Sequence, residues 1–243
     1  MVVFRPQDLT SLRHLPSWAL LAFAAGAVNA GALLACQRFV SHVSGIVTHI
    51  GVGARSVLAL DYALVLGAFM AGAGGAILLA RGVGGRERPA YWAPLTLVAA
   101  VLATVAVTGK AGWLDSFGST VETAHDFALL AVLAFAMGLQ NAAVAASTSM
   151  AVRTTHMTGP ATDLAVAFAL IISGDRQERA AARNSALLRG TKLAAFIFGA
   201  TAMAVLCPRF GYMAFLLPSA ACFAATAASF APGRAASASA SPA

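Results

Sequence analysis

Long apolar runs alternate with short polar connections along most of the chain. Six of them approach the roughly 20 residues that a helix needs to cross the hydrocarbon core of a bilayer. They cover residues 18–36, 62–80, 92–107, 127–149, 193–207 and 212–230. Two further runs, 46–60 and 161–172, are short and are interrupted or preceded by glycine, proline or polar residues. The pattern predicts an all-α integral membrane protein with six full transmembrane helices and two short half or re-entrant helices.

One motif occurs in two copies, each after a long apolar run. It reads Ser-His-Val-Ser-Gly from residue 41 and Thr-His-Met-Thr-Gly from residue 155. The preceding runs also match each other and contain Asn29 and Asn141, which are 112 residues apart, whereas His42 and His156 are 114 apart. We therefore expect two repeats, 17–109 and 126–230, that differ by a two-residue insertion. Such a repeat is typical of pseudo-symmetric membrane proteins with a polar site at the repeat interface.

The distribution of basic residues favours one of two topologies. If all eight apolar segments cross, the arginine-rich loop 81–88 and the basic stretch 176–192 face opposite sides of the membrane, and the repeat is parallel. If the two short segments enter and return, both basic stretches and both termini share one side, and the repeat is inverted. Because basic loops are retained in the cytoplasm, the inverted six-span arrangement is favoured, with both termini cytoplasmic.

Composition supports a membrane class and excludes others. Hydrophobic residues make up 59% and charged residues 10% of the chain, against about 45–50% and about 25% in soluble domains. We predict a cytoplasmic lead at 1–16, one membrane domain at 17–230 and a disordered tail at 231–243. The net charge of +7 lies in short loops and not in a basic stripe, which argues against nucleic acid. The three cysteines lie in apolar segments and predict neither disulfides nor metal binding.

The candidate site is formed by the polar residues of the two motifs and of the apolar runs before them. These candidate substrate- or ion-binding residues are Asn29, Ser41, His42, Ser44, Thr48, His49, Gln140, Asn141, Thr155, His156, Thr158, Thr162 and Asp163. Gly45 and Gly159 are predicted helix-start glycines beside hydroxyl caps, so that two positive helix ends point inward. His49 and Asp163 occupy equivalent positions, and we expect them to form a pair that couples protons to transport. The alternative is that the polar groups only join helices, which for Asn29, Ser41 and Thr155 is equally supported.

No nucleophile–base triad, metal cluster or phosphate loop can be assembled from these residues, so we expect neither enzymatic activity nor a cofactor. The function favoured by the pattern is a small secondary transporter or permease for an unknown small molecule or ion. The alternatives are a scaffold or channel-like membrane protein and, less favoured, a membrane-embedded enzyme. The oligomeric state is left open.

The chain resembles the YoaK-like family of bacterial membrane proteins, a family of unknown function. The resemblance is most specific at residues 134–141 and 152–159, followed by Thr162 and Asp163. The first copy departs from the family, which often has Asp at the position of Asn29 and Met-Thr-Gly-Asn where this chain has residues 43–46. The resemblance implies a multi-pass protein of the bacterial inner membrane and brings no established substrate.

Overall fold

The computed structural model describes residue 4 and residues 9–11, 13–54, 57–119 and 124–231. Most of the predicted disordered tail and parts of the predicted lead lie outside these described residues. Over the described ranges the chain forms eight α-helices, a 3-10 turn and a π-helical turn. The helices are α1 (Leu15–Cys36), α2 (Val43–Val52), α3 (Val57–Gly84), α4 (Trp92–Lys110), α5 (Ala124–Ser147), α6 (Thr158–Ser173), α7 (Arg176–Phe210) and α8 (Leu216–Ala225). The 3-10 turn Gly211–Phe215 precedes α8, and the π-helical turn Thr226–Phe230 follows it.

The all-α membrane class is confirmed. Within the described residues, five helical stretches are long and apolar enough to cross a membrane, and the fifth, Arg176–Phe230, contains both α7 and α8. The chain turns between these two helices at Gly211, whose φ of 52° lies in the left-handed region that glycine tolerates. Helix α8 then packs beside α1 and α4. The two predicted short segments form α2 and α6.

Two element boundaries differ from the prediction. The helix that contains the predicted apolar run 193–207 begins much earlier, because the basic stretch 176–192 is the first half of the 35-residue helix α7. A reciprocal capping box starts this helix: the Asp175 carboxylate accepts from the Glu178 backbone N–H at 2.8 Å, and the Glu178 carboxylate accepts from the Asp175 N–H at 2.8 Å. Helix α2 is shorter than the predicted segment because it ends at Gly53, whose N–H donates to the His49 carbonyl at 2.9 Å.

Glycines allow two very close helix crossings, which are copies of each other. In the crossing of α1 with α7, a Cβ at Gly26 would strike the Phe196 carbonyl, and a Cβ at Gly199 would strike the Phe23 carbonyl. In the crossing of α3 with α5, Gly72 and Gly138 meet the carbonyls of the equivalent phenylalanines, Phe135 and Phe69. Small residues of this kind let helix backbones approach in a membrane. Each repeat therefore packs its first long helix against the third helix of the other repeat.

The two matching helices α1 and α5 run in opposite directions. The end of α1 lies beside the start of α5, where the Cys36 thiol donates to the Asp126 carboxylate at 3.6 Å. Nearer the start of α1, the Leu21 carbonyl accepts a hydrogen bond from Gln140 of α5 at 2.8 Å. Helices that carry the same motif are thus antiparallel.

The first and last described segments are joined by an aromatic cluster. The ring of Phe4 meets Trp18 at 5.0 Å and Phe230 at 5.3 Å, both edge-on. Beside the cluster, the Ser229 hydroxyl bonds His14 at 2.9 Å and Ser17 at 2.7 Å. The start of α1 and the end of the described chain therefore lie at the same end of the helix bundle.

Candidate functional site

The two repeated asparagines accept hydrogen bonds from the non-helical backbone that precedes each short helix. The side-chain oxygen of Asn29 accepts from the Ser41 N–H and the Ser41 hydroxyl, both at 3.2 Å. The side-chain oxygen of Asn141 accepts from the N–H groups of Thr154 at 3.1 Å and Thr155 at 3.4 Å. Irregular backbone in a membrane protein needs such partners because lipid supplies none. Both asparagine oxygens thus have a structural role in the same place of each repeat.

Each motif histidine lies over the first turn of the short helix that follows it. In the second copy His156 Nε2 accepts from the Gly159 N–H at 3.1 Å, so this nitrogen is unprotonated in the bonded state. A Cβ at Gly159 would lie 2.9 Å from the same nitrogen, and a Cβ at Gly45 would strike the His42 ring. Both helix-start glycines are therefore needed to make room for a histidine ring.

The predicted hydroxyl caps are wrong. Helix α2 has His42 at its cap position and α6 has Met157, and neither side chain forms the cap hydrogen bond. Ser44 and Thr158 lie inside the first turn instead. Their carbonyls accept from the hydroxyls of residues one turn later, from Thr48 at 2.9 Å and from Thr162 at 3.1 Å. These threonine hydroxyls are satisfied within their own helices.

His49 and Asp163 do not meet, contrary to the expected pairing. His49 is exposed and stacks on Tyr62 of α3, with ring centroids 4.7 Å apart and planes 5° apart. Asp163 forms an ion pair with Arg189 of α7, with Nε and Oδ2 2.7 Å apart. Helix α3 corresponds to α7 at the glycine crossings with a spacing of 127 residues, which is also the spacing of Tyr62 and Arg189. The equivalent contact is thus aromatic in the first copy and ionic in the second.

A polar pocket of about 260 Å³ opens at the second motif. It lies between the loop after α5, the start of α6 and the middle of α7. Its described lining residues are Met150, Ala151, Arg153, His156, Gly159, Pro160, Asp163, Leu188, Arg189 and Lys192. The structure therefore brings His156, Gly159 and Asp163 together, whereas no lining residue comes from the motif copy at 41–49.

A family model described as "Protein of unknown function (DUF1275)" matches residues 18–228. The chain belongs to this family. The match confirms the resemblance to the YoaK-like membrane proteins and covers both motif copies and the whole pocket lining. No curated protein matches the chain, and no solved structure matches it.

Lys192, like Arg153 and Arg189, lines the DUF1275 pocket but is absent from the site residues predicted from the sequence. Its side chain is only 3% exposed, although it carries an ammonium group. In the sequence it closes the basic stretch 176–192, which the distribution of basic residues assigns to the cytoplasmic side of the membrane. The signal that could have found it is its helical spacing, because a residue three positions after Arg189 lies on nearly the same helix face.

Gln140 is a structural residue of the DUF1275 fold and does not line the pocket. It is fully buried, and its amide nitrogen donates to the Leu21 carbonyl and, at 3.0 Å, to the Thr154 hydroxyl. Its amide oxygen accepts from the Cys222 thiol at 3.2 Å. All of its hydrogen-bonding groups are used in contacts with α1, α8 and the loop after α5, which is typical of polar contacts that join helices.

Proposed function

We propose that this DUF1275 protein is a small secondary transporter or permease. The observation that carries the proposal is the pocket beside the start of α6, which contains a buried lysine. Ionisable groups inside membrane proteins mark substrate or ion pathways by default because their burial is costly. Transporters with internal repeats build their sites from short, interrupted helices of the kind that α6 represents.

The repeats are proposed to be inverted, with six spans and two short helices. The opposite directions of α1 and α5 support this arrangement, as does the gathering of chain segments at the two ends of the bundle. At one end Phe4 donates its N–H to the Ser147 carbonyl at 3.2 Å and packs on Phe230. At the other end α4 finishes beside Tyr212, whose ring a Cβ at Gly109 would strike. One crossing each by α1, α3, α4, α5, α7 and α8 accounts for these positions.

The pocket is proposed to open to the cytoplasm of a bacterial inner membrane. The loop after α5 lines it, and α5 ends at the same bundle end as Phe4 and Phe230. The arginines of loop 81–88 and of the first half of α7 belong to that end as well, which the positive-inside rule assigns to the cytoplasm. The first motif copy then faces the opposite side, so that the two short helices serve two alternating entrances.

A scaffold without transport is the second candidate, and one observation favours it. The amides of Asn29, Asn141 and Gln140 are engaged in hydrogen bonds that join chain segments. A scaffold requires no more than this. It does not require the open pocket or the buried Lys192.

Transport is testable even though the substrate is unknown. Purified protein is reconstituted into liposomes loaded with a mixed pool of small metabolites, and mass spectrometry measures what leaves and what exchanges with an external isotope-labelled pool. We expect release and saturable exchange of a small set of compounds that protein-free liposomes retain.

Exchange distinguishes a carrier from a channel, because only a carrier is accelerated by substrate on the opposite side. The control variant Arg183→Gln removes a charge from α7 outside the pocket and is expected to transport like the parent. Identical contents in vesicles with and without protein, under every pH gradient imposed, would refute the transporter and leave the scaffold.

A further inference from the structure

We propose that the pocket at the second motif binds a small oxyanion, a carboxylate or a phosphate, between Arg153, Lys192 and the start of α6. The inference rests on the proposed function in that it names the substrate class of the same site. The binding itself is a separate property that requires no transport.

The pocket carries an excess of positive charge. Its described lining holds three basic side chains and a single carboxylate, Asp163. That carboxylate is engaged by Arg189 at 2.7 Å. Within the described chain, Arg153 and Lys192 form no hydrogen bond and no ion pair of their own. Two cationic groups in the pocket therefore have their donors available for a ligand.

The burial of Lys192 makes a counter-charge necessary. A buried ammonium group is costly unless it is paired and hydrogen-bonded. The single carboxylate among the described lining residues, Asp163, is already ion-paired with Arg189. An anionic ligand supplies the missing acceptor, and a carboxylate or phosphate offers several oxygens to an arginine fork and an ammonium group together.

The start of α6 acts on a ligand through its electrostatic field, because its pocket-lining backbone has no free N–H group to donate. The Gly159 N–H is occupied by His156, and Pro160 has no N–H to donate. The partial positive charge at the helix N-terminus still acts on an anion in the pocket. This arrangement favours a charged ligand whose oxygens bind the side chains of Lys192 on α7 and of Arg153 in the loop before α6.

The first repeat shows that the lysine is not required by the fold. The residue equivalent to Lys192, 127 positions earlier, is Val65, and both are 3% exposed. Arg153 corresponds to Phe39 at the spacing of 114 residues. The same buried position thus accepts an aliphatic side chain, and none of Arg153, Arg189 and Lys192 has a basic residue at the equivalent position of the first copy.

The size of the pocket limits the ligand. Its volume of about 260 Å³ is far above the roughly 10–15 Å³ needed for one water. It is below the roughly 300–1,000 Å³ typical of pockets for drug-sized molecules. A compact anion of a few carbon atoms, an inorganic phosphate or the phosphate of a lipid headgroup has the right size.

The test measures binding to the full-length protein. Isothermal calorimetry and thermal shift in a neutral detergent use inorganic phosphate and a series of two- to four-carbon mono- and dicarboxylates, with glycerol as the uncharged control. A second arm uses nanodiscs of pure phosphatidylcholine with or without phosphatidylglycerol, so that a lipid headgroup is distinguished from a free anion. We expect saturable binding of at least one anion and no effect of glycerol.

Variants locate the site. Lys192→Val introduces the residue found at the equivalent position of the first repeat, and this variant is expected to fold normally. It should lower the affinity for the anion by about 10–100-fold, as expected for the loss of one charge-assisted contact. Arg153→Gln should weaken it similarly, and Arg183→Gln should leave it unchanged. Binding that survives both pocket substitutions, or no binding of any anion in either arm, would overturn the proposal.

The outcomes also separate this inference from the proposed function. Lysine-dependent binding of a free anion without flux would support the site and refute the transporter. Lysine-dependent binding confined to phosphatidylglycerol would support the oxyanion site but identify its ligand as lipid. Flux of a neutral or cationic metabolite that Lys192→Val does not alter would support the transporter and overturn the anion site.

Discussion

Replacing Gly138 by alanine should destabilise the protein by forcing α3 and α5 apart. The new methyl group would strike the Phe69 carbonyl and would lie 3.0 Å from the Ala73 nitrogen. Both obstacles are helix backbone, which cannot rotate away as a side chain can. Overpacking of this kind costs about 1–3 kcal/mol. For a protein of this size that corresponds to a fall in Tm of roughly 2–12 °C.

The matched control is Gly74→Ala on α3, where nothing lies within 4 Å of the new methyl group. This substitution reports the helix propensity gained on replacing glycine, about 1 kcal/mol. Thermal unfolding of purified protein in one detergent and at one scan rate compares the two variants with the parent. If Gly138→Ala proves as stable as Gly74→Ala, the close crossing does not hold the helices together and the packing argument is refuted.

Three further predictions address the motif and the topology. Asn29→Leu should lower the unfolding free energy by about 1–3 kcal/mol, because two N–H groups and a hydroxyl lose their acceptor. Asn29→Asp keeps an acceptor oxygen and should retain most of the parent's stability. Chemical denaturation measures both variants, and equal losses of stability would contradict the acceptor role of Asn29. Gly159→Ala alone should be destabilising, but it should cost much less in a protein that also carries His156→Ala. A double-mutant cycle should therefore give a coupling energy of about 0.5–3 kcal/mol. Additive effects would show that the His156 ring does not occupy the space beside Gly159. A cysteine introduced at Trp113 should react with an impermeant thiol reagent in intact cells, whereas a cysteine at Arg183 should react only in inside-out membrane vesicles. Labelling of both positions in the same preparation would exclude the inverted arrangement.

The long helices were predictable because the thickness of the bilayer imposes their length on the apolar runs. The equivalence of Asn29 and Asn141 was also visible, since the same side chain must satisfy the same irregular backbone in each repeat. The extent of α7 was missed because the basic residues after Asp175 suggested a boundary, while the capping box and the absence of proline before Pro208 allow one continuous helix.

The partners of the motif residues could not be predicted from spacing. His49 and Asp163 are equivalent in sequence, but the residue that each meets depends on how the next long helix is placed beside the short one. That placement brings Tyr62 to the first copy and Arg189 to the second. Lys192 was missed for a related reason, because its burial results from packing between α6, α7 and the loop before them.

The crossed pairing of the helices has a consequence for synthesis at the ribosome. Gly26 on α1 packs against a carbonyl of α7, and its counterpart Gly199 is made 173 residues later. At roughly 5–20 residues per second this is an interval of about 9–35 s during which α1 lacks its tightest neighbour. The first half cannot complete its own packing in that time, because α3 packs against α5, which is also synthesised later. Final assembly in the bilayer is therefore a late event, and a chain truncated before α7 leaves a glycine-lined groove open to insertion machinery, chaperones or membrane proteases.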